Sequence, residues 1–188
     1  MTRVAIIADD LTGALDTASP FACRGAKTIC FTNPDAIDVE AALDADVFSV
    51  STNTRHMAPH LAAEVVRAAA EKISHHSPDI ILKKIDSRLK GNVVEEVDAV
   101  ASVFGFKRLL VLPAAPDIGR YVSQGAVVGA GVDMPIAVAP RLSGSANTCD
   151  IPDVLSSEAM ATLARSILQN RTALTVCSRG LAVALAEC

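Results

Sequence analysis

Four polar clusters in this sequence each follow a short apolar run, and each carries residue types able to do chemistry. The first follows "VAIIA" and reads Asp9-Asp10-Leu11-Thr12-Gly13. Two adjacent carboxylates where a buried strand ends can hold a cation and take a proton from a hydroxyl. Capping the next helix accounts for one of them but not both. Successive strand residues point to opposite faces, so Asp9 and Asp10 divide the work: one holds backbone or a lysine, the other faces a cleft. Gly13 lets the backbone come close to a ligand or a neighbouring strand.

The second cluster runs from Lys83 to Asn92, "KKIDSRLKGN". An interior strand carrying two ammonium groups needs anions for them, and Asp9 or Asp10, Asp86 and an anionic substrate are the available partners. A strand end solvated by water is the plain alternative. With Asp86, Ser87, Gly91 and Asn92 so close behind, the cluster reads as a site for an anion and its hydroxyls. In the third cluster, "STNTRH", Asn53, Thr54 and Arg55 suit a small polyol acid, Arg55 forking to its carboxylate. A simple turn before a helix fits those residues equally well. The fourth, "PAAPDIGR", ends in Gly119 and Arg120.

Other chemistries lack their residues. The five cysteines (Cys23, Cys30, Cys149, Cys177 and Cys188) form no CxxC or Cys/His cluster, so they read as reduced, mostly core thiols and no metal site is expected. His56 has no partner at ligand spacing, and His60, His75 and His76 read as helix-surface residues. Neither a GxSxG elbow nor a GxxxxGK[ST] loop is present, so neither a hydrolase triad nor an ATP-phosphate loop is expected. Net charge is −4, with one Tyr, five Phe and no Trp. A chain without a basic stripe or stacking platforms is a poor match to nucleic acid. No apolar run approaches the twenty or so residues of a membrane span, and a cytoplasmic location is expected.

Positioning these clusters falls to an alternation of strands and helices. With 51% hydrophobic and 20% charged residues over 188 positions, the composition is globular and the length suits one domain, 1–188. Strands are expected at Val4 to Ala8, Thr28 to Phe31, Val47 to Val50, Ile80 to Leu82, Leu109 to Leu112 and Leu174 to Val176, as Val/Ile/Leu-rich runs covered on both faces. Helices are expected in 13–24, 92–104, 157–169 and the stretch "PHLAAEVVRAAAEKISHH". There Pro59 suits the first turn, and Leu61, Val65, Val66, Ala69 and Ile73 make an apolar stripe. Ser156 or Ser157 caps the helix at 157. The expected fold is an α/β three-layer sandwich, a mostly parallel sheet with helices on both faces. The glycine-punctuated stretch 119–141 is a β-hairpin excursion, and "LSGSANTCDIPD" after it reads as a mobile polar loop.

Taken together and in order, "IADDLTGALD", "STNTRH", "LKKIDSRLKGN" and "LPAAPDIGR" resemble the N-terminal domain of the four-carbon acid sugar kinases. The resemblance covers about residues 3 to 125. It resumes more loosely at "IPDVLSSEAMATLARSI" and "TALTVCSRGLAVALAE", similar to the family's last helix, strand and Ser-x-Gly-Leu-Ala turn. It implies ATP-dependent phosphorylation of threonate, erythronate or 3-oxo-tetronate type acids, the acid held by this domain and ATP by a second. It places Asp9, Asp10, Arg55, Lys83, Asp86, Ser87, Asn92, Gly119 and Arg120 where the family binds substrate. Beside these, the strand-end reading adds Thr12, Gly13, Thr54 and Lys84 as substrate-binding candidates, with Asp10 or Asp9 as the catalytic base. Three departures stand out: the usual "DSTLRGN" is here "DSRLKGN", the stretch between the hairpin and residue 151 is compressed, and the chain stops at Cys188, about where the nucleotide-binding domain would begin. The expectation is therefore a sugar-acid-binding half, inactive unless a nucleotide-binding polypeptide brings ATP and Mg, with no cofactor on this chain alone. A homo-oligomer is compatible with it. The alternative is a degenerate, non-catalytic module that binds a metabolite or a protein.

Overall fold

The computed structural model describes residues 3–188, with the backbone alone for Val39. Seven strands form one sheet: β1 (Val4–Ala8), β2 (Thr28–Phe31), β3 (Val47–Ser51), β4 (Ile80–Lys84), β5 (Arg108–Leu112), and two further strands given below. Every residue of β1, β3 and β4 is buried, as a strand covered on both faces must be. A small antiparallel sheet follows, built of β6 (Arg120–Ser123), β7 (Ala126–Gly129) and β8 (Ile136–Ala137). It is the expected hairpin excursion with a short third strand added. The polar segment after it is not all loop: β9 (Thr148–Asp150) pairs in parallel with β5 at the sheet's edge. β10 (Leu174–Cys177) completes the large sheet, whose order is β2-β3-β1-β4-β10-β5-β9, parallel throughout.

The helices are α1 (Leu11–Ala22), α2 (Val39–Leu43), α3 (Pro59–Ser74), α4 (Val93–Phe104), α5 (Ser157–Gln169) and α6 (Arg179–Ala186). α1, α5 and α6 pack together on one face, and α3 and α4 on the other. The sandwich thus has three layers. α3 starts at Pro59 as its sequence requires, but its buried stripe is Ala62, Val66, Ala69, Ala70 and Ile73. Leu61 is 46% exposed, so the stripe lies one position round from the expected one. Ser156 caps α5 by accepting the Ala159 N–H.

Two other expectations change. His76 is not on the surface: it is 2% exposed, its ring set edge-on to Phe48. Of the five cysteines, all free, only Cys177 is fully buried, while Cys23 and Cys188 are exposed.

Strand β1 is followed by a helix on one face, while its neighbours β3 and β4 are followed by helices on the other. Adjacent crossovers that part in this way leave a crevice beyond the carboxyl ends of the strands. The polar clusters sit at those ends.

Candidate functional site

The loop after β3 is laced onto the end of β1. Thr52 donates its N–H and its hydroxyl to the Ala8 carbonyl, at 2.8 and 3.0 Å, and the Thr54 N–H donates to the Asp9 carbonyl at 3.0 Å. This lacing brings Arg55 over the aspartate pair. Its Nε and Nη2 donate to the two oxygens of Asp9 at 2.7 and 2.9 Å, and its Nη1 to Asp10 Oδ2 at 2.5 Å. A two-pronged pair of this kind fixes the plane of the guanidinium as well as its charge. Burial pushes the Asp9 carboxyl up, but Arg55, Lys83 and Lys84 outweigh it and hold Asp9 below the usual carboxylate range. Burial likewise acts against charge on Arg55, and Asp9, Asp10 and Asp86 more than restore it. Asp10 also caps α1, its Oδ1 accepting the Gly13 N–H at 2.7 Å. A side chain at Gly13 would lie 2.6 Å from that oxygen and 3.0 Å from Lys84 Nζ. The Thr-Gly step therefore marks a close approach of three elements.

Lys83 and Lys84 turn to opposite sides, as neighbours on a strand do. Lys83 is wholly buried, its Nζ 2.8 Å from Glu96 Oε2 on α4 and 2.9 Å from the Lys84 carbonyl. The Thr54 hydroxyl donates to the other oxygen of Glu96 at 2.7 Å. Neither Asp9, Asp10 nor Asp86 forms this ion pair. The anion is Glu96, a buried residue that the sequence reading missed; the signal that could have found it is Lys83's own need for a carboxylate. Lys84 is 7% exposed and donates to the Ile85 carbonyl at 2.9 Å. No carboxylate lies within ion-pairing distance of it among the described residues. Burial pulls its ammonium pKa down, and Asp9, Cys177 and Asp10 do not fully restore it.

The segment 85–92 is a tight loop. Asp86 Oδ1 accepts the Arg88 N–H at 2.9 Å and the Lys90 N–H at 3.4 Å. Leu89 takes a left-handed backbone (φ 59°) and stays there because its side chain is buried, strain of a kind that packing must sustain. Gly91, at φ 90°, passes so close to Asp9 that a Cβ would lie 3.3 Å from Oδ2. The side-chain amide of Asn92 donates to the carbonyls of Thr54 and Met57 at 3.0 and 3.1 Å. From the hairpin, Arg120 donates to the Ser87 hydroxyl and, through Nε and Nη2, to the Ala130 carbonyl. Gly119 is the left-handed residue closing the turn before β6.

These groups surround a hollow of about 200 Å³. Lys84, Thr12 and Gly13 line it from β4 and α1, Asp10, Arg55, Asp86 and Ser87 from the loops, and Arg120 from the start of β6. Asp9, Thr54, Lys83, Asn92 and Gly119 are not among its lining; Asp9 holds Arg55 in place from behind, while Lys83 is committed to Glu96. Four lining residues escaped the sequence reading: Asp16, Ile118, Ser178 and Arg179. Ser178 and Arg179 follow β10 directly, so the strand-end rule that picked out the other clusters would have found them. Ser178 donates to the Ala114 carbonyl at 2.7 Å, and Arg179 Nε lies 3.0 Å from Asp117 Oδ2. Arg88 and Lys90 line a separate trough under the hairpin tip, where Arg88 donates to the Gly131 carbonyl. A larger hollow, about 510 Å³, opens at the opposite edge of the sheet between Val4, Phe21, Val47, Ile80 and Leu185. Its walls are mainly apolar and gather no comparable set of polar groups. Among the described residues no cluster of His, Cys, Asp and Glu is placed to hold a metal, and no helix is long and apolar enough to cross a membrane.

The site is thus an open parallel sheet with cations, carboxylates and hydroxyls converging at its carboxyl edge. Residues 4–138 match the family described as the sugar-binding N-terminal domain. The chain belongs to that family, the N-terminal part of the four-carbon acid sugar kinases. It is 40% identical over 126 residues to the D-erythronate kinase of Heliobacterium modesticaldum, covering 66% of this chain and 29% of that protein. It is 37% identical over 125 residues to the D-threonate kinase of Bordetella bronchiseptica (65% and 31%) and 34% identical over 156 residues to that of Cupriavidus necator (82% and 36%). The chain thus spans about a third of the length of these relatives. A Bordetella bronchiseptica DUF1537 protein, solved as a domain-swapped dimer with bound citrate, superposes with a TM-score of 0.82 at 29% identity, over 98% of this chain and 56% of that one. A Salmonella typhimurium protein described as a putative tRNA synthase shares the fold, with a TM-score of 0.83 at 20% identity over 100% of this chain and 56% of that one.

Proposed function

We propose that the chain is the sugar-acid-binding part of an ATP-dependent kinase for a four-carbon acid of the threonate, erythronate or 3-oxo-tetronate type. Lys84 carries this reading. A buried ammonium with one carbonyl acceptor and two unused donors needs an anion to complete it. Lys84 lines the hollow, where Arg120 and Arg179 supply further positive charge. The carboxylate of the acid sits against these cations, and its hydroxyls meet Asp86, Ser87 and Thr12. At about 200 Å³ the hollow lies below the roughly 300–1,000 Å³ of pockets for drug-sized ligands, which favours a four-carbon acid over a nucleotide. The citrate held by the Bordetella neighbour is likewise a hydroxylated organic anion.

Phosphoryl transfer asks this part for positioning and proton acceptance. ATP and its magnesium are held by a nucleotide-binding part outside residues 3–188, and without it the chain binds the acid and does not turn it over. The whole acts in the cytoplasm. Arg88 and Lys90, where the family's usual loop carries a small hydroxyl residue and an arginine, lie outside the hollow and leave its chemistry unchanged. That favours a working site over a degenerate one.

The test is calorimetric titration with D-erythronate and D-threonate. Saturable binding is expected, weakened about 10- to 100-fold in Lys84→Met, the loss of a charged hydrogen bond. Absence of heat with every sugar acid, or equal affinity in the variant, refutes the assignment.

A further inference from the structure

The sequence points to the Asp9-Asp10 pair for the base, but the hydrogen bonding points elsewhere. Both oxygens of Asp9 are taken by the Arg55 fork. Asp10 Oδ1 accepts the Gly13 N–H, and Oδ2 accepts from Arg55 Nη1. Each of the four oxygens in the pair already has a protein donor. Asp86 differs. Its Oδ1 is held by the N–H groups of Arg88 and Lys90, while its Oδ2 has no protein partner among the described residues. The side chain is half-buried and lines the hollow. Two backbone bonds fix its orientation, leaving one oxygen free for a ligand. Asp16 also lines the hollow, but it lies exposed on α1, and no hydrogen bond holds its carboxylate.

We infer that Asp86, and neither member of the adjacent pair, receives the substrate hydroxyl that becomes phosphorylated. This rests on the function proposed above and assigns the base within it. A general base must lie within hydrogen-bond reach of the proton it takes, with a lone pair to receive it. Asp86 lines the hollow, and its Oδ2 keeps a lone pair open to a hydroxyl there before any side chain moves. In the reaction, the hydroxyl oxygen bonds to the terminal phosphorus of a nucleoside triphosphate. The bond from that phosphorus to the bridging oxygen breaks, its electron pair leaves on the diphosphate, and the hydroxyl proton passes to Asp86 Oδ2. The Asp9-Asp10 pair instead holds Arg55 and α1 in place.

The experiment compares each sugar acid with its analogue lacking the terminal hydroxyl, by calorimetric titration of the intact chain. The wild-type chain is expected to favour the full acid about tenfold or more, as befits a hydrogen bond to a charged group. In Asp86→Asn the amide oxygen keeps the turn to Arg88 and presents a donor where the hydroxyl needs an acceptor, so the preference falls close to one. Asp10→Asn weakens both ligands alike and keeps their ratio. Thermal unfolding of each variant shows whether it is folded, and Asp86→Ala repeats the test if the amide finds another bond. A ratio that survives in both Asp86 variants, or collapses in Asp10→Asn alone, overturns the inference while leaving the binding function intact. Failure of the wild-type chain to bind any sugar acid defeats the function itself.

Discussion

The Lys83–Glu96 pair offers the sharpest test of which cations serve the ligand and which serve the fold. The two side chains are 0% and 2% exposed, and their charged atoms are 2.8 Å apart. At that separation the attraction is about 6 kcal/mol at an effective dielectric of about 20, most of it offset by the cost of taking both charges out of water. Removing one partner leaves the other charge buried and uncompensated. Glu96→Leu strands the Lys83 ammonium and leaves the Thr54 hydroxyl only its bond with Thr52, Lys83→Met strands the carboxylate, and each is expected to destabilise the chain by about 3–5 kcal/mol. Removing both in Lys83→Met/Glu96→Leu replaces the pair with apolar groups of similar volume, and the net loss should fall below about 2 kcal/mol. Urea unfolding, with slopes checked for constancy, measures all four states. Because Lys83 does not line the hollow, the double variant should also bind sugar acid with wild-type affinity. A double variant no more stable than the singles refutes the energetic argument, and one that is stable but blind to ligand refutes the structural role given to Lys83.

Gly13→Ala should lose the Asp10 cap, about 1 kcal/mol of stability, and also sugar-acid affinity, because the added methyl would press on both Asp10 and Lys84; thermal unfolding and calorimetry check the two effects, and an unperturbed variant contradicts the close approach. His76 predicts a pH dependence. Burial, with Arg3 and His75 adding to it, holds the folded pKa below the ordinary 6.5, so the unfolded chain binds the proton first as the solution is acidified. Its contribution is complete above pH ~6.5 and falls as pH drops from there toward the folded pKa, by at most about 1.4 kcal/mol per pH unit. Urea midpoints at pH 7.5 and 5.5 should differ in the wild-type chain and differ less in His76→Leu; an equal difference in both removes His76 as the cause.

The elements legible in the sequence are those whose burial leaves a local pattern. β1, β3 and β4 are apolar because both faces are covered, and 59–74 repeats every three to four residues because one face is. β9 escaped because an edge strand paired on one side need not be apolar, and its Thr-Cys-Asp looks like any loop. α6, "RGLAVALA", is small and apolar all round, which hides the helical period. The polar clusters were visible as strand ends, but the roles within them depend on contacts across the sheet. Glu96 in the first turn of α4 looks like an ordinary complement to the helix dipole, and only the folded chain sets it against Lys83. The same holds for His76, which its position after a surface-looking helix gives no reason to bury.

Two neighbouring lysines and two neighbouring aspartates illustrate how one strand register sorts identical residues into different work. Lys83 and Lys84 differ by one position, so one is neutralised from α4 and the other reaches the hollow, with no carboxylate within pairing distance among the described residues. Asp9 and Asp10 also differ by one position, yet a single guanidinium draws on both. Arg55 commits three donors to the pair, so its orientation is set before a ligand arrives. The hollow is therefore organised in advance around a fixed cation, a buried ammonium and one carboxylate oxygen left open, and little side-chain ordering remains to oppose binding. On that argument two positions outside the lining, Asp9 and Gly91, should matter to affinity almost as much as those lining it, since removing the Asp9 carboxylate frees Arg55 to turn and a side chain at Gly91 would press on both Asp9 and Arg55.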